Sequence, residues 1–88
     1  MKSKIEQVNV GDKMNEEILK LDSEFITLGQ LLKQVNLISS GGMAKWYLNE
    51  FVVYVNEEVE NRRGRKLYLG DVIFLPNEEL VVTIAAND

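Results

Sequence analysis

The apolar residues of this chain change their period once, near Phe51, and a chain carrying both periods has to combine helices with a sheet. Before that point Leu28, Leu31, Leu32 and Val35 recur at i, i+3, i+4 and i+7, and Ala44, Tyr47, Leu48 and Phe51 repeat the spacing. Such spacing puts each set on one face of a 3.6-residue helix. After it, Val53 and Val55 alternate with Val52 and Tyr54, the two-residue period of a strand with one face in a core. The predicted class is therefore α+β, two short packed helices followed by a small, bent, mainly antiparallel sheet.

Local signals set the boundaries. Thr27 is placed to cap the first helix, with Gln30 at the third position after it where a capping box puts Glu or Gln, and Asn36 is a plausible stop. Ser39, Ser40, Gly41 and Gly42 precede the second helix, and either Ser40 or Gly41 is expected to cap it. The short loop between the helices predicts a helical hairpin. Asn56, Glu57 and Glu58 read as a tight β-turn before Val59, although Glu tolerates positive φ poorly and makes Asn-Glu a weaker signal than Asn-Gly. Gly70 and Asp71 mark a second turn, Val72 to Leu75 a buried strand closed by Pro76, and Leu80 to Ile84 a last strand, with a short one at Ile18 to Leu21. Residues 1–17 are read as an N-terminal extension, either partly disordered or forming one more strand around Ile5 to Val10. Residues 18–88 are read as a single domain with its motif core at 26–75.

Composition then removes whole classes of function. A chain of 88 residues is one domain that buries only about 60% of the surface its unfolded form exposes, which leaves little room for a deep enclosed pocket. It has no cysteine and no histidine, so disulfides, thiolate or imidazole zinc sites and the commonest general base are all missing. That argues against an enzyme, and no metal or other cofactor is implied. No apolar run approaches the roughly 18 to 20 residues of a membrane span, and the expected location is the cytoplasm, with no membrane partner.

Charge supplies the positive clue. The chain carries a net charge of −4 and a pI near 4.8, yet Arg62, Arg63, Arg65 and Lys66 crowd around Gly64. Residues 1–24 hold four bases and six acids, residues 25–75 six bases and five acids, and residues 76–88 three acids and no base. The acidity thus lies at the ends, and a local patch acts over about a Debye length, roughly 8 to 10 Å, whatever the net charge. Guanidinium forks match phosphate oxygens, and Gly64 allows close approach or positive φ. The alternative is a solvated loop between two strands. Ser39 to Lys45 offers a second anion contact at the start of a helix, or else an ordinary cap. Trp46 is read as closing the core edge, with stacking on a base as the alternative, and Tyr54 and Tyr68 share that ambiguity. Asp12, Glu16, Glu17, Glu57, Glu58, Glu60, Glu78 and Glu79 show no calcium-loop spacing and are read as surface charge. Ser39 and Ser40 have no histidine to activate them as nucleophiles.

Ile26 to Ile73 resembles the RNA-binding domain named after ribosomal small-subunit protein four, and within it the small stand-alone YaaA-like members. The likeness rests on the Leu-rich first helix, Ser40, Ala44 and Lys45 at the start of the second, Val53, Val55 and Asn56 in a strand and turn, and Leu67, Gly70 and Asp71 in a Leu-x-x-Gly-Asp turn. The resemblance implies the alpha-L RNA-binding motif, with RNA held along the start of the second helix and the adjoining basic sheet loop. Carried over by position, together with the glycines of that helix start, it implies RNA contacts from Lys33, Ser40, Gly41, Gly42, Lys45, Arg62, Arg63, Arg65 and Lys66, and a structural role for Asn56. The broad family often has Arg where this chain has Gly41, and Gly at the positions of Phe51 and Glu57. The expected function is noncatalytic binding of structured RNA, in particular ribosomal RNA, with the ribosome as a further partner. The alternative is an adaptor whose basic loop docks an acidic protein.

Overall fold

The computed structural model describes residues 14–87, and the proposed strand around Ile5 to Val10, like Asp12, lies outside them. The architecture is α+β, as the change of period requires. Strand β1 (Asn15–Leu21) leads to a two-residue strand β2 (Ile26–Thr27), helices α1 (Leu28–Gln34) and α2 (Met43–Glu50), then β3 (Tyr54–Val55), β4 (Glu58–Val59), β5 (Lys66–Leu67), β6 (Val72–Leu75), a 3₁₀ turn (Pro76–Glu78) and β7 (Leu80–Ala86).

Helix α1 forms where its caps allow. Thr27 Oγ1 accepts from the Gln30 amide at 3.2 Å and Gln30 Oε1 accepts from the Thr27 amide at 2.9 Å, closing the capping box. At the other end Asn36 takes a left-handed φ of 66°. The Leu37 amide then reaches the Leu32 carbonyl and the Asn36 amide the Lys33 carbonyl, both at 3.0 Å, which satisfies carbonyls the helix end would otherwise orphan. Helix α2 differs from expectation. Its N-cap is Gly42, with no side-chain cap, and Ser40 and Gly41 act through their carbonyls, which accept from the amides of Met43 and Ala44. With Gly42 itself in the helical region, the preceding turn winds directly into the helix and needs no capping hydroxyl.

A five-stranded sheet in the order β1-β7-β6-β3-β4 backs the helices, with β2 and β5 paired separately. Its pairs are antiparallel except β1 with β7, which run parallel from Asn15 opposite Leu80 to Leu21 opposite Ala86. The Asn56-Glu57 turn forms with both residues at positive φ, 50° and 73°, and Asn56 locks it by donating to Asp71 and accepting from the Val72 amide, each at 3.0 Å. The core lies between sheet and helices. Leu28, Leu31 and Leu32 of α1 and Ala44, Tyr47 and Leu48 of α2 meet Val53, Val55, Leu67, Ile73, Leu75, Val82 and Ile84 there, and each large aliphatic side chain so buried contributes about 1.5–3 kcal/mol. Among the described residues no helix is long and apolar enough to cross a membrane.

Candidate nucleic-acid interface

The basic run occupies the connection between β4 and β5, and a carboxylate organises it. The Glu60 amide donates to the Val53 carbonyl at 2.8 Å, tying the start of the connection to the core. Its side chain is only 5% exposed. Glu60 Oε2 accepts from the Arg62 amide and Nε, both at 2.9 Å, while Oε1 accepts from Arg62 Nη2 at 3.0 Å and Arg65 Nη1 at 2.8 Å. Hydrogen bonds from the Arg62 side chain outweigh the effect of burial and hold the Glu60 carboxyl at a pKa of about 2, and the same pairing raises that of Arg62. Glu60 is therefore not surface charge, as its place in an acidic stretch suggested. It is buried because two guanidiniums and a backbone amide satisfy its oxygens.

Two further bonds dock this connection on α1. The Leu28 amide donates to the Arg65 carbonyl at 2.9 Å and the Gly29 amide to the Arg63 carbonyl at 2.8 Å, so loop carbonyls take up two donors that a first helical turn leaves unpaired. Gly29 is the point of closest approach. A β-carbon there would stand 3.3 Å from the Arg63 carbonyl oxygen, 3.4 Å from the Arg63 β-carbon and 3.3 Å from the β-carbon of Ala44. Arg63 and the first turn of α2 thus converge on one glycine, and Lys45 follows Ala44 directly in the chain.

The remaining residues fall around this junction. Ser40, Gly41, Gly42, Lys45, Arg62, Arg63 and Gly64 are all exposed, and Arg65 is half-buried. A turn closed by the Arg65 amide on the Arg62 carbonyl at 3.1 Å carries Arg63 and Gly64 at its tip. Gly64 does not take a positive φ there, but nothing lies within 4 Å of where its β-carbon would be, which leaves the tip open to a ligand. Lys66 sits apart from the Glu60 cluster, its Nζ 4.8 Å above the Phe25 ring. Lys33, one turn beyond Gly29 on α1, lines a shallow groove with Phe25 and Gln30. Trp46 packs edge-on against Phe51 at 6.0 Å and remains 52% exposed, so it covers the core edge with one side and offers the other to solvent.

Sequence reasoning missed three residues of this arrangement. Gly29 interrupts a Leu-rich helix, where glycine costs about 1 kcal/mol against alanine, and that mismatch was the available signal of a close approach. Glu60 stands two residues before an arginine pair, a spacing that permits a local ion pair. Phe25 gave no sign in the sequence. A groove lined by Val52, Tyr54, Asn56, Glu57, Val72, Phe74 and Pro76 lies on the outer sheet face, and none of these residues is cationic.

Two comparisons with known proteins bear on this geometry. Residues 19–83 match the family model of the S4 domain. Over 55 residues, 62% of this chain and 78% of the relative, the sequence is 62% identical to the probable ribosome maturation protein RlbA of Bacillus subtilis strain 168.

Proposed function

The chain belongs to the S4 domain family, and from that premise we propose that it is a noncatalytic protein that binds structured RNA, specifically ribosomal RNA, in the cytoplasm. The observation that carries this reading is the convergence at Gly29, which sets the Arg62–Lys66 connection beside the first turn of α2. Two segments that are separate in sequence, one carrying Arg63 and the other Lys45, approach each other there.

Each residue has a distinct part in this reading. Arg63 at the loop tip and Lys45 on α2 meet phosphates from the two sides of the junction. Ser40, Gly41 and Gly42 let a backbone approach the start of α2, since none carries a bulky side chain. Arg62 and Arg65 present the N–H donors that Glu60 leaves free, and Lys33 and Lys66 extend the contact along the Phe25 side. Contacts of this kind read the shape and phosphate spacing of an A-form or folded RNA rather than its base sequence. The acidic termini reduce indiscriminate attraction to other polyanions. The relative's designation as a ribosome maturation protein supports ribosomal RNA as the ligand.

Crosslinking the protein to RNA in cells and sequencing what is captured tests the proposal. Enrichment of ribosomal RNA that is lost in an Arg63→Glu, Lys45→Glu variant is expected. Capture of protein partners that survive ribonuclease unchanged, with no enriched RNA, would favour an acidic protein as the ligand of the loop.

A further inference from the structure

We infer that Glu60 is a positioning residue of the RNA site, holding Arg62 and Arg65 in the poses that meet phosphates; this rests on the RNA-binding reading above. Charge alone argues the reverse. A carboxylate among four cations cancels one of them, and removing it should tighten binding to any polyanion.

The geometry shows what the carboxylate does instead. Arg62 spends Nε–H and one Nη2–H on Glu60, which leaves three of the five donors of a guanidinium on its outer edge. Its side chain is 71% exposed, so that edge faces solvent. Arg65 spends one Nη1–H and keeps four donors. Because both guanidiniums share one carboxylate, on a residue whose backbone amide is tied to the Val53 carbonyl, their spacing is set before any ligand arrives. A ligand then need not order two long side chains, a loss of freedom that otherwise opposes binding. Arg63, between them, makes no side-chain bond to Glu60 and is positioned by its backbone on Gly29. Glutamine cannot replace this arrangement, since its amide nitrogen would turn a donor towards a guanidinium that has only donors.

The test compares the wild type with Glu60→Gln, Arg62→Gln/Arg65→Gln and the triple variant, measuring affinity for a ribosomal RNA fragment and for a random-sequence duplex RNA. Glu60→Gln is expected to weaken both complexes roughly tenfold, where charge alone would tighten them. In the Arg62→Gln/Arg65→Gln background the same change should have no further effect, a coupling that general loosening of the fold would not produce. Should Glu60→Gln fail to fold, the Arg62 Nε–H resonance of the wild type serves alone, and protection from solvent exchange in both free and RNA-bound protein is expected. Wild-type binding with an equal or tighter Glu60→Gln complex, or an Arg62 signal that exchanges like free arginine, overturns the role of Glu60 and leaves the RNA reading standing. A wild type that binds neither RNA overturns both.

Discussion

Gly29 donates its amide to the Arg63 carbonyl at 2.8 Å, and the same glycine leaves only 3.3 Å between its missing β-carbon and that of Ala44. This contact joins the basic connection to α2. Without it the connection would be tied to α1 by the Leu28 amide on the Arg65 carbonyl, at the foot of the loop rather than at Arg63.

Enlarging residue 29 should therefore force the basic connection and α2 apart. Gly29→Val is expected to lower stability by about 1–3 kcal/mol, the range for overpacking a filled site, and to weaken RNA binding beyond what the residual unfolded fraction explains. Gly29→Ala should have a smaller effect on stability, because a helix-propensity gain of about 1 kcal/mol offsets the tight contact. Urea titration of both variants, with RNA affinity measured where each is folded, checks the pair.

The Glu60 cluster should leave a signature in acid. Its folded pKa of about 2 lies below the usual 4.5, so its contribution is fully present above pH 4.5 and is lost as pH falls towards 2. Wild type should exceed Glu60→Gln in stability near neutrality by about 1 kcal/mol, a figure reduced for the solvent around Arg62, and the two should converge near pH 2. Thermal unfolding across that range measures the difference. A gap that does not change with pH would mean the carboxylate is not held ionised by its arginines.

The β3–β4 turn stores strain that a single change should relieve. Glu57 holds a φ of 73°, a conformation that costs an ordinary L-residue roughly 1–2 kcal/mol. Glu57→Gly should raise the unfolding midpoint, by an amount limited to about 1 kcal/mol because glycine also gains freedom in the unfolded chain. RNA affinity should not change, since this turn lies on the outer-groove side of the sheet.

The legible parts of this fold were those set by neighbours in sequence. The Leu28, Leu31 and Leu32 face, the Thr27–Gln30 box and the left-handed Asn36 all follow from residues within a few positions of one another. The parallel pairing of β1 with β7 was not legible, because it joins opposite ends of the chain and no turn chemistry connects them. The cap of α2 was misplaced because carbonyls of the preceding turn, which every residue possesses, do the work expected of a serine hydroxyl. In the candidate site the cations could be named from the sequence, but Glu60 was read as surface charge. Its burial depends on Val53, just before β3, and on how two arginines fold back over it.

The dependence of RNA affinity on salt tests most directly whether the loop and the start of α2 form one phosphate-binding surface. If about four cations each neutralise a phosphate, log Kobs should fall with log salt with a slope on the order of −3 to −4 on the duplex rule. Arg63→Ala and Lys45→Ala should each reduce the magnitude of that slope by about 1, and together by about 2. A slope that neither substitution changes would contradict the account.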